Sequence, residues 1–173
     1  MKRTKLLALA LAGVMVLALL TGCSGGKSED RRIAENIADS MMKHNHYNVK
    51  EVSYSVPELS GAVRSAFAPG WFNEDGTGLD RDALTQDGRT VEVFLWDSLK
   101  AYEEGSIVYF FAFDATGESA YAQSERVAQG KAPSLSVFPY RSVAPSSYTK
   151  LRVGVCHKTV GERDYCLAVL VLA

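Results

Sequence analysis

The segments Leu151-Arg152-Val153-Gly154-Val155-Cys156 and Tyr165-Cys166-Leu167-Ala168-Val169-Leu170-Val171-Leu172 decide the predicted fold. Both are rich in β-branched and large apolar residues, which favour strands, and a glycine between them suits a turn. An antiparallel pairing makes one face of this hairpin wholly apolar, because it places Leu151 opposite Val171, Val153 opposite Val169 and Val155 opposite Leu167. The sequence therefore predicts a C-terminal β-hairpin in that register.

The same pairing predicts a disulfide bond. It places Cys156 directly opposite Cys166, and directly opposed residues of an antiparallel pair have Cβ atoms near the distance that a disulfide needs. Of the three cysteines, Cys23 lies in the N-terminal segment and is expected to carry a lipid, which leaves Cys156 and Cys166. An even number of cysteines in an exported protein favours a disulfide bond. A pair of inert thiols is the alternative.

The segments before the hairpin indicate further strands and helices. Residues 107–113 are nearly all aromatic or β-branched and predict the central strand, and shorter strands are predicted over 49–56 and 90–96. Apolar residues at helical spacing predict helices over 29–43, with Ser28 as N-cap, and over 57–68. Residues 118–129 fit either a helix that ends at Gly130 or the return strand of a hairpin. Residues 131–147 are predicted to form a coil.

These elements predict the fold class. We expect a single α+β domain over residues 29–173, with a mainly antiparallel sheet of four or five strands, flanking helices and the disulfide-linked hairpin at its end.

The start of the chain resembles an export signal. Basic residues at positions 2, 3 and 5 precede the uncharged run 6–20, and the small residues after it end on a cysteine, in the order Leu20-Thr21-Gly22-Cys23. This motif resembles the lipobox of bacterial lipoproteins. The resemblance implies that residues 1–22 are a signal peptide and that Cys23 carries a lipid. A transmembrane anchor is the alternative, but fifteen apolar residues span only about 22 Å of a core of about 30 Å.

The lipobox resemblance implies a location for the protein. Acylation of Cys23, as with palmitate, would hold the domain on the extracytoplasmic side of the cell membrane, or of the outer membrane in a Gram-negative host. Residues 23–28 would form a short tether. Removal of residues 1–22 lowers Lys plus Arg from 19 to 16 against 20 Asp plus Glu, so the mature net charge is about −4. That charge excludes a typical nucleic-acid-binding protein.

Residues 69–89 form the longest irregular stretch and predict a candidate binding loop. Loops of this length in compact domains are often functional. Trp71 and Phe72 either fill the edge of the core or line a ligand groove. The loop residues that we consider as a binding surface are Trp71, Phe72, Asn73, Asp75 and Asp80.

The sequence predicts no catalytic residues, no metal ligands and no cofactor. It has no nucleophile elbow, phosphate-binding loop or metalloprotease motif. His44 and His46 lack a nearby third ligand, and His157 lies beside a cysteine that is predicted to be oxidised. Residues 73–80 are only partly similar to a calcium loop, because its bidentate acidic position holds Leu84.

Residues 147–155 and 165–169 together resemble the closing hairpin of the CAP (SCP) superfamily, and residues 58–67 resemble that family's early helix. The histidine and glutamate pocket motifs of the family are not found, so the resemblance implies a degenerate small-ligand domain and assigns no site residue. The sequence thus predicts an envelope lipoprotein with a non-enzymatic binding or interaction role. The alternatives are a CAP-like domain for a lipid or glycan, and then a hydrolase; the expected partners are the membrane and an envelope protein or small ligand.

Overall fold

The computed structural model describes residues 28–44, 48–138 and 147–173, apart from the side chain of His44. The predicted signal peptide, Cys23, the tether up to Lys27, and His46 lie outside the described residues. The elements follow the order α1 (Glu29–His44), β1 (Glu51–Ser53), a π-helix (Leu59–Val63), α2 (Arg64–Ala66), a 3₁₀ turn (Pro69–Trp71), α3 (Val91–Leu99), a 3₁₀ turn (Lys100–Tyr102), β2 (Ile107–Asp114), α4 (Ala120–Ala128), β3 (Ser134–Ser136), β4 (Lys150–Val160) and β5 (Arg163–Leu172).

The five strands form one mixed sheet in the order β1-β4-β5-β2-β3. Only the β1–β4 pair is parallel, and the other three pairs are antiparallel. The prediction of an α+β fold with a mainly antiparallel sheet is therefore confirmed. Residues 107–113 do form a strand buried on both faces, but the central strand is β5 and not β2.

The register of the β4–β5 hairpin differs by one residue from the prediction. Leu151 pairs with Leu172 and Val153 with Leu170, because the hairpin closes through a two-residue turn at Gly161 and Glu162. Gly161 has a φ of 63°, which suits the first position of such a turn. Neighbouring residues of a strand point to opposite faces, so this shift moves every predicted cross-strand partner to the other face.

The predicted disulfide is wrong as a consequence of this register. Cys156 pairs with Leu167, and Cys166 pairs with His157. The two thiols lie in the cores on opposite faces of the sheet, and both cysteines are free and buried. They cannot be bridged without a shift of the register.

Helical segments cover both faces of the sheet. One core lies beneath α1 and α4 and contains Ile33, Ile37 and Val127 together with alternate residues of β2, β4 and β5. The other lies beneath the residues from Leu59 to Trp71 and beneath α3. Because both faces are packed, β5 is buried from Tyr165 to Leu172.

Several local predictions are confirmed. The predicted first helix is α1, and the Ser28 hydroxyl accepts a hydrogen bond from the Arg31 backbone N–H, as expected of an N-cap. Residues 120–128 form a helix, so the helix predicted over 118–129 is confirmed over the alternative return strand. Gly130 follows this helix with a φ of 64°, which suits a helix C-terminus.

The predicted strand over 90–96 is wrong. This segment starts α3, whose N-cap Thr90 accepts a hydrogen bond from the Val93 N–H. Its buried residues follow helical spacing, which outweighs the strand propensity of the same residues; they are Val91, Phe94, Leu95 and Leu99. The predicted coil after residue 130 also contains the short strand β3, and the predicted strand over 49–56 is reduced to β1.

Candidate functional site

The predicted binding loop divides into a buried residue and an exposed turn. Trp71 is 1% exposed and makes edge contacts with Phe67, Phe94 and Phe110, so it is part of the core and offers no contact surface. Phe72 is half-buried and packs against Phe67 and Tyr165. The residues that follow Phe72 are exposed up to Thr77.

The exposed turn is closed by its own hydrogen bonds. Phe72 and Leu79 form a β-bridge at its base, and the Gly78 N–H donates to the Asn73 Oδ1 at 2.9 Å. Asp75 Oδ1 accepts from both the N–H and the hydroxyl of Thr77, and these bonds lower the pKa of Asp75. Asn73 and Asp75 therefore restrain the turn through hydrogen bonds within it.

A cleft of about 370 Å³ lies between this turn and the end of the sheet at which β2 ends and β5 begins. We call it the loop cleft. It is lined on one side by the predicted residues Phe72, Asn73 and Asp75 and on the other by Asp114, Arg126 and Arg163. The fold thus brings together residues of a loop, two strands and a helix that are far apart in the sequence.

Three neighbouring residues hold the guanidinium group of Arg126, a residue of α4, at the loop cleft. Its Nη1 donates to Glu118 Oε1 at 2.5 Å and to the Asp114 carbonyl oxygen at 3.2 Å. Its guanidinium lies 4.3 Å from the ring centroid of Phe113, a cation–π distance. The other Glu118 oxygen, Oε2, is buried and accepts no hydrogen bond from the described residues.

Asp114 and Arg163 form the outer rim of the loop cleft. They approach within 3.5 Å, and the Arg163 side chain is 67% exposed. Hydrogen bonding by Thr116 is the main cause that lowers the pKa of Asp114, and the charges of Arg163 and Arg126 act in the same direction. The rim therefore presents a carboxylate and a guanidinium side by side.

The remaining predicted loop residue, Asp80, does not reach the loop cleft. Its N–H donates to the Trp71 carbonyl oxygen, and its Oδ1 accepts from the Asp82 N–H. Asp80 therefore supports the path of the chain and does not line the site. Of the five predicted residues, the structure brings Phe72, Asn73 and Asp75 to one cleft and leaves Trp71 and Asp80 out.

A second depression, of about 480 Å³, lies at the other end of the sheet, beside β1. Tyr102 forms one wall, donates to Glu58 Oε2 at 2.7 Å, and has the Arg152 guanidinium 5.5 Å from its ring centroid. Burial, followed by the bond to Glu58, raises the pKa of Tyr102 to about 12. Arg152 is also engaged with the Ser55 carbonyl oxygen. The polar groups of Tyr102 and Arg152 are thus engaged within the protein, and nothing in the sequence analysis indicated this site.

The sequence analysis also missed the environment of His157. Its Nδ1 lies 2.6 Å from Asp30 Oδ1 and its Nε2 2.8 Å from Gln123 Oε1. The three residues belong to β4, α1 and α4, so no local spacing marks the cluster. His44 and His46, the pair that the sequence does show, fall where the structure describes no side chain.

In the part of the chain that the structure describes, no group of three His, Cys, Asp or Glu residues is arranged to hold a metal ion. Nor does any helix of that part have the length and apolar character needed to span a membrane. Comparisons of the chain with protein-family models, with curated proteins and with solved structures find no match.

Proposed function

We propose that this chain is a bacterial envelope lipoprotein, anchored through Cys23, whose folded part binds a small polar ligand in the loop cleft. The observation that carries the binding role is the position of Phe72, Asn73 and Asp75. These loop residues line one cleft with Arg126 and Arg163. Clefts in which a few polar groups converge beside apolar side chains are the usual form of small-ligand sites.

The chemistry of the loop cleft favours a ligand with several hydrogen-bonding groups over an acyl chain. Carboxylates from Asp75 and Asp114 and guanidinium groups from Arg126 and Arg163 surround the half-buried ring of Phe72. Planar charged groups of both signs suit glycans and short peptides, which present donors and acceptors together. A lipid tail would exclude solvent from these charged groups and offer them no hydrogen bond.

The environment of His157 favours binding over hydrolysis. A histidine that acts as a general base needs a free ring nitrogen within reach of a nucleophile. The Nδ1 of His157 faces Asp30 as in a catalytic pair, but its Nε2 is engaged with the buried amide of Gln123. The neighbouring thiol of Cys156 stays protonated, because burial raises its pKa to about 12.

A CAP-like domain for a small ligand is the second candidate. Of the hairpin segments on which the resemblance rests, residues 147–155 and 165–169, residues 150–155 and 165–169 lie in the paired strands β4 and β5. The family assignment stays a prediction, and a glycan ligand would be compatible with both candidates.

The binding role is tested with the soluble domain that begins at Ser24. We expect soluble oligosaccharides or short peptides to raise its melting temperature in a thermal-shift screen, and fatty acids to leave it unchanged. Arg163→Gln should weaken binding of the best probe about tenfold, which is close to the lower end of the value of one charged hydrogen bond. Arg32→Gln, on the exposed face of α1, is the matched control. The proposed site is refuted if both substitutions weaken binding equally, or if no probe raises the melting temperature.

The anchor is tested separately in intact cells. Cys23→Ala should abolish metabolic labelling with a palmitate analogue and release the protein from the membrane fraction. Persistent labelling would contradict acylation of Cys23 and leave the binding result unaffected.

A further inference from the structure

His157 occupies a position where both of its ring nitrogens face an acceptor. Asp30 Oδ1 lies 2.6 Å from Nδ1, and Gln123 Oε1 lies 2.8 Å from Nε2. The orientation of the Gln123 amide is set independently, because its Nε2 donates to the Glu118 carbonyl oxygen at 3.2 Å. Gln123 is 3% exposed, and the His157 side chain is 18% exposed.

This geometry selects the doubly protonated ring. A neutral imidazole has one N–H and one lone pair, so it satisfies only one of the two acceptors. If Nε2 loses its proton, its lone pair faces the Gln123 carbonyl oxygen; if Nδ1 loses it, the lone pair faces a carboxylate. Either way, one contact across the interior becomes repulsive, or the amide must turn away from Glu118.

We propose that His157 is a protonation-dependent link that holds α1 and α4 against the sheet. Asp30 is in the first turn of α1, Gln123 is in α4, and His157 is in β4, so the imidazolium joins three elements through two hydrogen bonds. Loss of its proton weakens the attachment of α1, the first helix after the predicted tether.

The charged groups around His157 support retention of the proton. Burial is the largest single influence and lowers the pKa of His157, but the hydrogen bond to Asp30 and the charges of Asp30, Asp164 and Glu29 outweigh it, so the pKa is raised. Glu29 and Asp30 belong to α1 and Asp164 to β5. Gln123 from α4 is neutral, and the Glu118 charge before α4 is paired with Arg126.

Further charged or titratable groups lie near His157. Arg31 of α1, which is paired with Glu35, and Cys156 line the same depression as His157. The Arg64 Nε donates to the His157 carbonyl oxygen at 2.7 Å, and Cys166 lies opposite on β5. Burial raises the pKa of Cys166, so that thiol carries no charge in the range where histidine titrates.

The direction of the pH dependence follows from the raised pKa. The folded state holds the proton more tightly than the unfolded state, so the stabilisation is complete below the unfolded histidine value of about 6.5. It is lost as the pH rises through the pKa of the folded protein. The unfolding equilibrium constant should increase about tenfold over this range for each unit by which the pKa is raised.

The experiment uses the fact that the chain has three histidines. In the soluble domain, His44→Gln with His46→Gln leaves His157 as the only imidazole. We expect an NMR titration of this variant to give a pKa above 6.5, and urea unfolding to show lower stability at pH 8 than at pH 6, a range below the ionisation of the unfolded thiols. The protection factors of the α1 amides, which are corrected for the intrinsic rise of exchange with pH, should fall over the same range.

Further substitutions separate the link from general destabilisation. Asp30→Asn should lower the NMR pKa of His157, and His157→Gln should flatten the stability profile between pH 6 and pH 8 whatever its absolute stability. A pKa below 6.5 in the single-histidine variant overturns the proposal. So does a pH profile that is the same with and without His157.

Discussion

Gly154 of β4 lies against Val56, at the point where the chain passes from β1 to the π-helix. A Cβ atom built on Gly154 would lie 2.6 Å from the Val56 Cβ and 3.3 Å from the Leu59 Cδ2. Non-bonded carbon atoms in proteins do not approach each other to 2.6 Å. Only glycine therefore allows the segment around Val56 to pack onto this part of the sheet. The close approach helps to form the core that contains Val56 and Leu59.

Gly154→Ala should therefore destabilise the domain. The methyl group has to displace a β-branched side chain in a packed core, which costs about 1–3 kcal/mol in the free energy of unfolding. Urea unfolding of the soluble domain measures this loss. Adding Val56→Ala should recover little of it, since alanine keeps the Cβ atom that lies 2.6 Å from the introduced methyl group.

Gly61→Ala is the matched control for this substitution. No atom lies within 4 Å of a Cβ built at Gly61, and the residue is exposed in the π-helix. We expect its stability to equal or exceed that of the unmodified domain, because alanine restricts the unfolded chain. If both glycine substitutions cost the same, the contact with Val56 is not the cause.

The hairpin register makes a second prediction, about Cys156 and Cys166. Denatured under non-reducing conditions, the soluble domain should accept two alkyl groups. In the native state alkylation should be slow, because burial raises the pKa of both thiols and the thiolate is the reactive form. Mass spectrometry distinguishes the outcomes. An intramolecular disulfide in the purified domain would contradict the register seen here.

The error in the predicted register has an identifiable cause. The prediction relied on the apolar match between strands, but β5 is buried on both faces, so a slip of one residue still pairs apolar with apolar. The turn at Gly161 and Glu162 selects the register instead. Because β5 is central, its apolar pattern does not show which of its residues face which side of the sheet. A shift of one residue in the pairing places the two cysteines on opposite faces.

Other features were predictable where a local signal dominates. The N-cap at Ser28 and the apolar spacing in α1 define that helix from sequence alone. The strand propensity of residues 90–96 led to the wrong prediction of a strand, because burial of Val91 and Phe94 on one face of a helix outweighs that propensity. The His157 cluster could not be found this way, because its two partners lie 127 and 34 residues away.

The third prediction concerns Trp71→Ala, which tests whether Trp71 acts in the core or in ligand binding at the loop cleft. Removing a fully buried indole should cost about 3–5 kcal/mol in the free energy of unfolding, measured with urea. The control is Leu84→Ala, whose side chain is 69% exposed and whose loss should change stability by less than about 0.5 kcal/mol. If the Trp71→Ala domain kept normal stability but bound the ligand more weakly, Trp71 would belong to the binding surface and not to the core.

Lys158 makes the last prediction, because it anchors the chain after α2 to the sheet. Its Nζ donates to the carbonyl oxygen of Ser65, within that helix, at 2.8 Å and to that of Phe67, just after it, at 2.7 Å. Carbonyl groups at a helix end lack helical partners. Lys158→Met keeps the aliphatic stem and removes both bonds, so we expect a loss of about 1–2 kcal/mol in the free energy of unfolding. Lys100→Met, at an exposed position, should lose almost nothing. Equal urea midpoints for the two variants would show that the Lys158 bonds do not hold this segment in solution.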